Sequence, residues 1–84
     1  MHVEFLGIPR ERVGLSEVVI DAGTFGDVLR ALGQRFPAFT DLMKGEGLHP
    51  SIAANLNGDT FISDPHTPLG DRDRLLILSA DVGG

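Results

Sequence analysis

The chain has 84 residues, 42% of them hydrophobic, and its seven basic and twelve acidic residues give a net charge of -5. This length bounds the chain to one domain with a small core, and the negative charge argues against nucleic-acid binding, because phosphates require a basic surface. The chain has no cysteine, which excludes disulfides, cysteine-ligated metal centres and a thiol nucleophile.

Two short strands are predicted near the start of the chain. Residues 2–6 alternate in polarity, as a half-buried strand does. Gly7 and Pro9 then predict a break in regular structure, and Gly14 predicts a turn. The apolar run in residues 17–20 predicts a second strand, which returns along the first as an antiparallel hairpin.

A helix is predicted over residues 25–36. Thr24 is a favourable N-cap, and Asp27 three residues later supplies an acidic variant of the capping box. Pro37 ends the helix. Five apolar residues recur at helical spacing and predict one stripe that faces the core: Phe25, Val28, Leu29, Leu32 and Phe36.

The second half of the chain is predicted to be mostly strands. Residues 38–50 suit a short turn or helical piece that covers the sheet edge and ends in a loop. Residues 51–56 and 60–62 are predicted strands, and the Asn-Gly pair between them is a strong hairpin signal. After a connection rich in Pro, Gly and Asp, the final strand is predicted over residues 74–78.

This order of elements predicts an α+β fold, a ubiquitin-like β-grasp with a mixed sheet and one main helix packed across it. In this topology the first and last strands lie side by side in the middle of the sheet, which explains why residues 75–78 are all apolar. We therefore expect a domain over residues 1–78 and a flexible tail over residues 79–84. Fully extended, that tail would carry the terminal carboxylate roughly 20 Å from the domain.

Five stretches of the sequence form a recognisable set. They are RERVG at residues 10–14, GTFGDVL at 23–29, LNG at 56–58, PLGDRDRLLIL at 68–78 and the terminal Gly83-Gly84. Through them the chain resembles the MoaD/ThiS-like sulfur carrier proteins over its whole length. That family usually has an acidic residue after the Gly-Asp pair, where this chain has Arg72. The departure lies in a predicted loop and bears on partner choice.

The resemblance implies a chemistry at Gly84. A partner enzyme of the ubiquitin-activating type uses Mg-ATP to adenylate the Gly84 carboxylate, and sulfur from a persulfide or sulfide donor displaces AMP to give a thiocarboxylate. Gly83 has no side chain and can pass through a narrow channel, and Val82 belongs to the same tail. The chain itself binds no cofactor and is not an enzyme, since catalysis lies on its partners. A downstream synthase accepts the sulfur for molybdopterin, thiamin, cysteine or another sulfur-containing metabolite.

Three other functions remain open at this point. The same adenylate is the precursor for a ubiquitin-like modifier that is conjugated to lysines of other proteins. The chain is also compatible with the small subunit of a molybdopterin-synthase-like complex. A plain β-grasp interaction domain, in which the terminal glycines have no function, is the fourth hypothesis.

Two groups of residues are candidates for docking a partner. Arg72 and Arg74, two positions apart near the last strand, are expected to project to one face and to meet acidic groups of the activating enzyme. The alternative is a solvated pair that contributes little. Exposed apolar residues are the second group, because this fold commonly offers a hydrophobic contact patch: Leu6, Leu56 and Phe61.

Other functional sites are not predicted. The three histidines lack the spacing of metal ligands: His2, His49 and His66. The acidic residues after the Asn-Gly pair lack the spacing of a calcium loop: Asp59, Asp64, Asp71 and Asp73. The Gly-Thr-Phe-Gly run before the helix lacks the lysine of a P-loop, so helix capping explains it better. We find no membrane span or signal peptide and expect a cytoplasmic protein that binds neither membranes nor nucleic acid.

Overall fold

The computed structural model describes residues 1–21 and 23–80. Its helices and strands are, in chain order, β1 (His2–Leu6), α1 (Ile8–Val13), β2 (Glu17–Val19), α2 (Phe25–Arg35), a 3-10 helix (Pro37–Leu42), β3 (Met43–Lys44), β4 (Gly47–Leu48), β5 (Ile52–Leu56), β6 (Thr60–Ile62) and β7 (Arg74–Ser79). Five strands form a mixed sheet in the order β2-β1-β7-β5-β6, and β3 pairs with β4 separately. Within the described ranges, no helix is long and apolar enough to cross a membrane.

The centre of the sheet is the parallel pair of β1 and β7. Val3 lies opposite Leu75 and Phe5 opposite Ile77, and all four side chains are buried. The other pairs are antiparallel: β2 with β1, β5 with β7 and β6 with β5. The prediction of a β-grasp sheet with its first and last strands side by side in the middle is confirmed.

Helix α2 packs its apolar stripe against the core-facing side of the sheet. Its cap is as predicted, because the Thr24 hydroxyl accepts a hydrogen bond of 3.2 Å from the Asp27 amide. Four of the five residues of the apolar stripe are fully buried: Phe25, Val28, Leu29 and Leu32. Phe36 packs partly buried against the same cluster. The predicted helix is confirmed, although it ends at Arg35, one residue earlier than expected.

The connection between β1 and β2 contains a helix that was not predicted from the sequence. Helix α1 begins at Ile8, although Gly7 and Pro9 predict a break. Proline is compatible with the first turn of a helix, because an amide there would have no partner within the helix. Gly14 ends α1 in the left-handed conformation, at φ 81°, and its amide donates to the Arg10 carbonyl. The predicted antiparallel pairing of β1 and β2 is still correct.

The predicted helical piece within residues 38–50 is the 3-10 helix, and the β3-β4 hairpin that follows it was not expected. Phe39 of the 3-10 helix is fully buried. Its ring stands edge-on to that of Phe5, with ring centroids 6.4 Å apart and planes at 65°. Such aromatic pairs contribute about 1 kcal/mol beyond the area that they bury. The segment therefore completes the core.

Strand β7 extends one residue further than predicted. Ser79 is buried and pairs with Ile52 of β5. The Ala80 amide then donates a hydrogen bond of 2.8 Å to the Ser51 carbonyl. The first residue of the predicted tail thus belongs to β7, and the second is hydrogen-bonded to the residue before β5. The rest of that tail, residues 81–84, lies outside the described residues.

Candidate functional site

The candidate site is the end of β7 and the surface around it. At this end Leu78 lies opposite Leu6 of β1 on one side and Ala53 of β5 on the other. The predicted reactive residue, Gly84, follows shortly after in the sequence. We therefore expect a protein that binds Gly84 to approach this end of the sheet. Val82, Gly83 and Gly84 are outside the described residues, so their assignment remains a prediction.

The face of the sheet opposite α2 carries apolar side chains. Side chains alternate along a strand, so Leu76 and Leu78 point away from Leu75 and Ile77, which belong to the core. Leu78 is only 6% exposed, and yet it is not a member of the core cluster. Leu78 is therefore buried on the second face of the sheet, opposite the core.

Two exposed side chains extend this apolar surface across the sheet. Leu6, beside Leu78, is 40% exposed, and Phe61 of β6 is 62% exposed. Phe61 lies opposite Asn55, which in turn lies opposite Leu76, so these residues share one face. We call five apolar residues on this side of the sheet the open face: Leu6, Ala53, Phe61, Leu76 and Leu78. Exposed apolar groups collected in this way are typical of protein-binding surfaces.

The end of the open face furthest from Ala80 is charged. Arg72 and Arg74 both line a shallow cavity of about 380 Å³, together with Glu4 and Leu76. The Arg74 guanidinium lies 3.4 Å from the Glu4 carboxylate, and both side chains are largely exposed. An exposed ion pair of this kind contributes little to stability. Both arginines thus line one cavity, and their role in docking a partner stays a prediction.

Leu56 does not belong to the open face, which corrects the sequence prediction. It pairs with Leu75 on β7, and it packs partly buried against the core cluster. A shift of one residue in the register of a strand moves a side chain to the other face of the sheet. The sequence pattern of β5 did not determine this register, whereas the structure does. Of the three apolar candidates, only Leu6 and Phe61 are exposed on the face opposite α2.

A hydrogen-bond network fixes the start of β7. The Asn57 side-chain amide donates 3.0 Å to Asp73, whose other oxygen accepts 2.7 Å from the Gly70 amide. The Asn57 side-chain oxygen accepts 2.8 Å from the Arg74 amide. The hydrogen bond from Asn57, and then the one from Gly70, lowers the pKa of Asp73 below its usual value. Asp73 therefore has a structural role in this loop. It lies two positions after Asp71, the aspartate of the Gly-Asp pair.

A second contact fixes the end of β7. The Ser79 hydroxyl accepts a hydrogen bond of 2.9 Å from the Ile8 amide at the start of α1. Ser79 is only 6% exposed, and it is the one polar residue classed as buried in residues 1–21 and 23–80. Ile8 itself is 42% exposed beside this contact. The site residues predicted from the sequence do not include Ser79, Leu76 or Leu78, although apolar residues at every position of a strand indicate that both faces are covered.

The remaining polar candidates make local contacts. His49 and Ser51 share a hydrogen bond of 2.8 Å, and His66 lies 3.3 Å from Asp64. His2 is 3.9 Å from Glu17. Among the residues whose positions are described, no three His, Asp or Glu side chains converge as a metal site would require.

Comparison with known proteins supports one family. The model of the ThiS family matches residues 3–84, a span that includes both terminal glycines. No curated protein sequence matches the chain.

Three solved structures share the fold. A chain of the Amycolatopsis orientalis BexX/CysO complex is 26% identical, with a TM-score of 0.81, and the match covers 99% of this chain and 98% of that one. Small archaeal modifier protein 1 (SAMP1) from Methanosarcina acetivorans is 26% identical, with a TM-score of 0.80, over 99% and 94% of the two chains. SAMP1 from Haloferax volcanii, at 24% identity, a TM-score of 0.75 and 100% and 98% coverage, supports the fold alone.

Proposed function

The chain belongs to the ThiS family, and on that premise we propose that it is a sulfur carrier protein whose Gly84 carboxylate is activated and converted to a thiocarboxylate. The observation that carries this proposal is the match to the family model, which covers residues 3–84. Gly84 follows the central strand of the sheet by a few residues, and the family match extends to it. The chain acts as a protein co-substrate, and its partners supply the catalytic groups.

The activation step follows from the chemistry of a carboxylate, which is unreactive towards nucleophiles until one oxygen becomes part of a good leaving group. An activating enzyme of the ubiquitin-activating type binds Mg-ATP. A Gly84 carboxylate oxygen attacks the α-phosphorus, pyrophosphate leaves, and an acyl adenylate forms. Mg-ATP is bound by the partner, and this chain contributes the carboxylate and the surface that docks it.

The second step exchanges AMP for sulfur. Sulfide attacks the acyl carbon, AMP leaves with the carboxylate oxygen, and the product is the thiocarboxylate of Gly84. With a persulfide donor the first product is an acyl disulfide, and a second thiol must then cleave its S–S bond and become oxidised. The thiocarboxylate sulfur is a nucleophile that a downstream synthase transfers to its substrate, in a route to molybdopterin, thiamin, cysteine or another sulfur-containing metabolite.

The open face is the docking surface in this proposal. Phe61 and Leu6 are exposed beside Leu78, so a partner that covers them removes apolar area from water, at about 25 cal/mol for each Å². Leu6 also lies at the end of the sheet from which the chain continues towards Gly84. Docking there holds the C-terminus close to the nucleotide, and alignment of two reactants is itself a large part of catalysis.

The charged end of the open face selects the partner. Arg72 is exposed and Arg74 is 60% exposed, and both line the same shallow cavity. In a chain with a net charge of -5, a pair of arginines at one end of the docking surface favours an enzyme with acidic groups at the matching position. Such charges contribute more to the rate and specificity of association than to affinity.

A ubiquitin-like modifier is the second candidate, and the similarity to SAMP1 favours it. In this case a lysine amine of another protein attacks the Gly84 acyl group, and an isopeptide bond forms in place of the thiocarboxylate. Both functions need the same adenylate and the same docking surface. They differ only in the nucleophile that accepts the acyl group.

The mass of the intact protein tests the carrier function. The chain is incubated with its activating enzyme, Mg-ATP and sulfide, and we expect its mass to rise by the difference between one sulfur and one oxygen atom. Omission of ATP is the control. No mass change with an enzyme that adenylates the chain would refute the carrier function.

A pull-down from cells separates the two candidates. The tagged chain is recovered and analysed with and without a thiol reductant. A free chain that carries a thiocarboxylate supports the carrier, and adducts of higher mass that resist thiols support the modifier.

A further inference from the structure

At Ser79, β7 is still paired with β5 on one side but is no longer paired with β1 on the other. On the β5 side its partner is Ile52. On the β1 side the ladder ends one residue earlier, where Leu6 pairs with Leu78. The chain of β1 turns away at Gly7, at φ 71°, and enters α1. The side chain of Ser79 replaces the missing ladder contact, because its hydroxyl accepts a hydrogen bond from the Ile8 amide at 2.9 Å.

The next residue is held from the opposite side. The Ala80 amide donates a hydrogen bond of 2.8 Å to the Ser51 carbonyl, just before β5 begins. The chain is therefore fixed to α1 at Ser79 and to the β5 side at Ala80. Residues 81–84 of the sequence follow this double anchor. Four residues span at most about 14 Å, whereas a chain released from Ser79 onwards has six, with a reach of about 21 Å.

The Ile8–Ser79 contact lies directly beside the open face. Leu6 precedes the Gly7 turn, and Leu78 precedes Ser79, so the two residues that pair on the open face adjoin both ends of the Ile8–Ser79 contact. For a partner that docks on Leu6, the point at which the chain leaves the sheet therefore has a fixed position relative to that contact.

We propose that Ser79 is a positioning residue for the activation of Gly84. Through its hydrogen bond to Ile8, it sets where the chain leaves the sheet and how far the terminal carboxylate extends from the docked face. This inference rests on the proposed function, since it concerns adenylation of Gly84. Ser79 does not touch the reacting atoms, and it acts through the direction and length of the segment that follows it.

The expected size of the effect follows from the length of the tether. The effective concentration of a tethered group falls roughly as the -3/2 power of tether length, once the tether is longer than the distance it must span. Release of both contacts would lengthen the tether from four to six residues and lower the effective concentration by about 2-fold, which is the upper limit of this effect when the Ala80 contact is kept. Loss of alignment between the carboxylate and ATP adds to this effect, because small misplacements of reacting groups are costly.

The test is a steady-state measurement of adenylation by the activating enzyme with S79A, S79T and T24A. S79A removes the hydroxyl that holds Ser79 to Ile8 and leaves the hydrogen bond from Ala80 to Ser51 in place, whereas S79T keeps a hydroxyl at the same position. T24A is the matched control, because Thr24 also accepts a hydrogen bond from a backbone amide at the start of a helix, but in α2. Hydrogen exchange of the Ile8 and Ala80 amides measures the anchor without the enzyme.

We expect S79A to lower kcat by about 2-fold, with KM for the carrier unchanged because the open face is intact. Exchange of the Ile8 amide becomes faster in S79A, and S79T restores both quantities. T24A lowers thermal stability without lowering kcat. If the wild-type chain is adenylated and S79A has the same kcat, the positioning role alone is overturned. A wild-type chain that is never adenylated would overturn the proposed function and, with it, this role.

Discussion

Asn57 and Asp73, sixteen positions apart, are joined by a hydrogen bond of 3.0 Å between the Asn57 amide and the Asp73 carboxylate. Asn57 has a positive φ of 58°, which asparagine tolerates better than most residues, and it occupies the turn between β5 and β6. Its side chain therefore connects that turn to the loop that leads into β7. The contact holds the start of the central strand, next to the two arginines of the open face.

This contact predicts how stability responds to acid. Because the folded-state pKa of Asp73 is lowered, the stabilisation from its charge is complete above its ordinary pKa and is lost as the pH falls through the lowered value. The variant D73N cannot lose this charge. We expect the decrease in Tm between about pH 5 and about pH 2 to be smaller in D73N than in wild type. D71N controls for removal of a carboxylate from the same loop, and identical pH profiles for D73N and wild type would contradict the prediction.

Two glycines of α2 predict opposite responses to alanine. A Cβ at Gly26 would lie 3.1 Å from the Pro65 carbonyl oxygen, which is backbone and cannot rotate away. At Gly33 the nearest atom is Cγ2 of Thr40, an exposed side chain, at 3.2 Å. Alanine is about 1 kcal/mol better than glycine inside a helix. In urea titrations we expect G33A to raise the free energy of unfolding by up to about 1 kcal/mol and G26A to lower it by about 1 kcal/mol or more. Equal stability of the two variants would refute this account.

The open face predicts a binding defect without a folding defect. Phe61 is 62% exposed, so F61A removes little from the core. If Phe61 is a central contact of the activating enzyme, its loss raises KM for the chain by about tenfold while Tm stays within a few degrees of wild type. Leu15, 48% exposed in the turn before β2, provides the control variant L15A. An unchanged KM in F61A would remove Phe61 from the docking surface.

The arginines predict a dependence on salt. R72E places a negative charge at the end of the open face, and we expect the association rate with the activating enzyme to fall by about tenfold at low ionic strength. The difference from wild type should shrink as salt is added, because exposed charges are screened beyond about 10 Å at 0.1 M salt. R30E makes the same change in net charge on α2. If R30E slows association as much as R72E does, the effect belongs to net charge and not to this site.

Much of the fold was predictable because each signal lies within one segment. The helical spacing of Phe25, Val28 and Leu29 indicates α2, and the apolar run of β7 indicates a central strand. Helix α1 was not predictable in the same way, because Pro9 breaks a helix in its middle and favours one at its start. The sequence does not say which of these positions Pro9 occupies until the end of β1 is known.

The site was predictable in part, and the limit is again physical. The facing of Leu56 depends on the register between β5 and β7, which involves residues far apart in the chain. The anchoring of Ser79 depends on Ile8, 71 positions away. Ser79 begins a run of mostly small residues, and from local composition such a run predicts a tail. Contacts between residues so far apart in the sequence can be assigned only when the pairing of the strands is known.

The central claim is that the Gly84 carboxylate is the reactive group. A chain that lacks Gly84 should keep the Tm of wild type, because it retains every core and strand residue that the structure describes. The most direct measurement is fragmentation mass spectrometry of the wild-type chain after incubation with its activating enzyme, Mg-ATP and sulfide, with the chain lacking Gly84 treated in parallel. The account predicts that the added sulfur is found on Gly84 and that the shortened chain gains none. Sulfur on any other residue, or equal modification of the shortened chain, would contradict it.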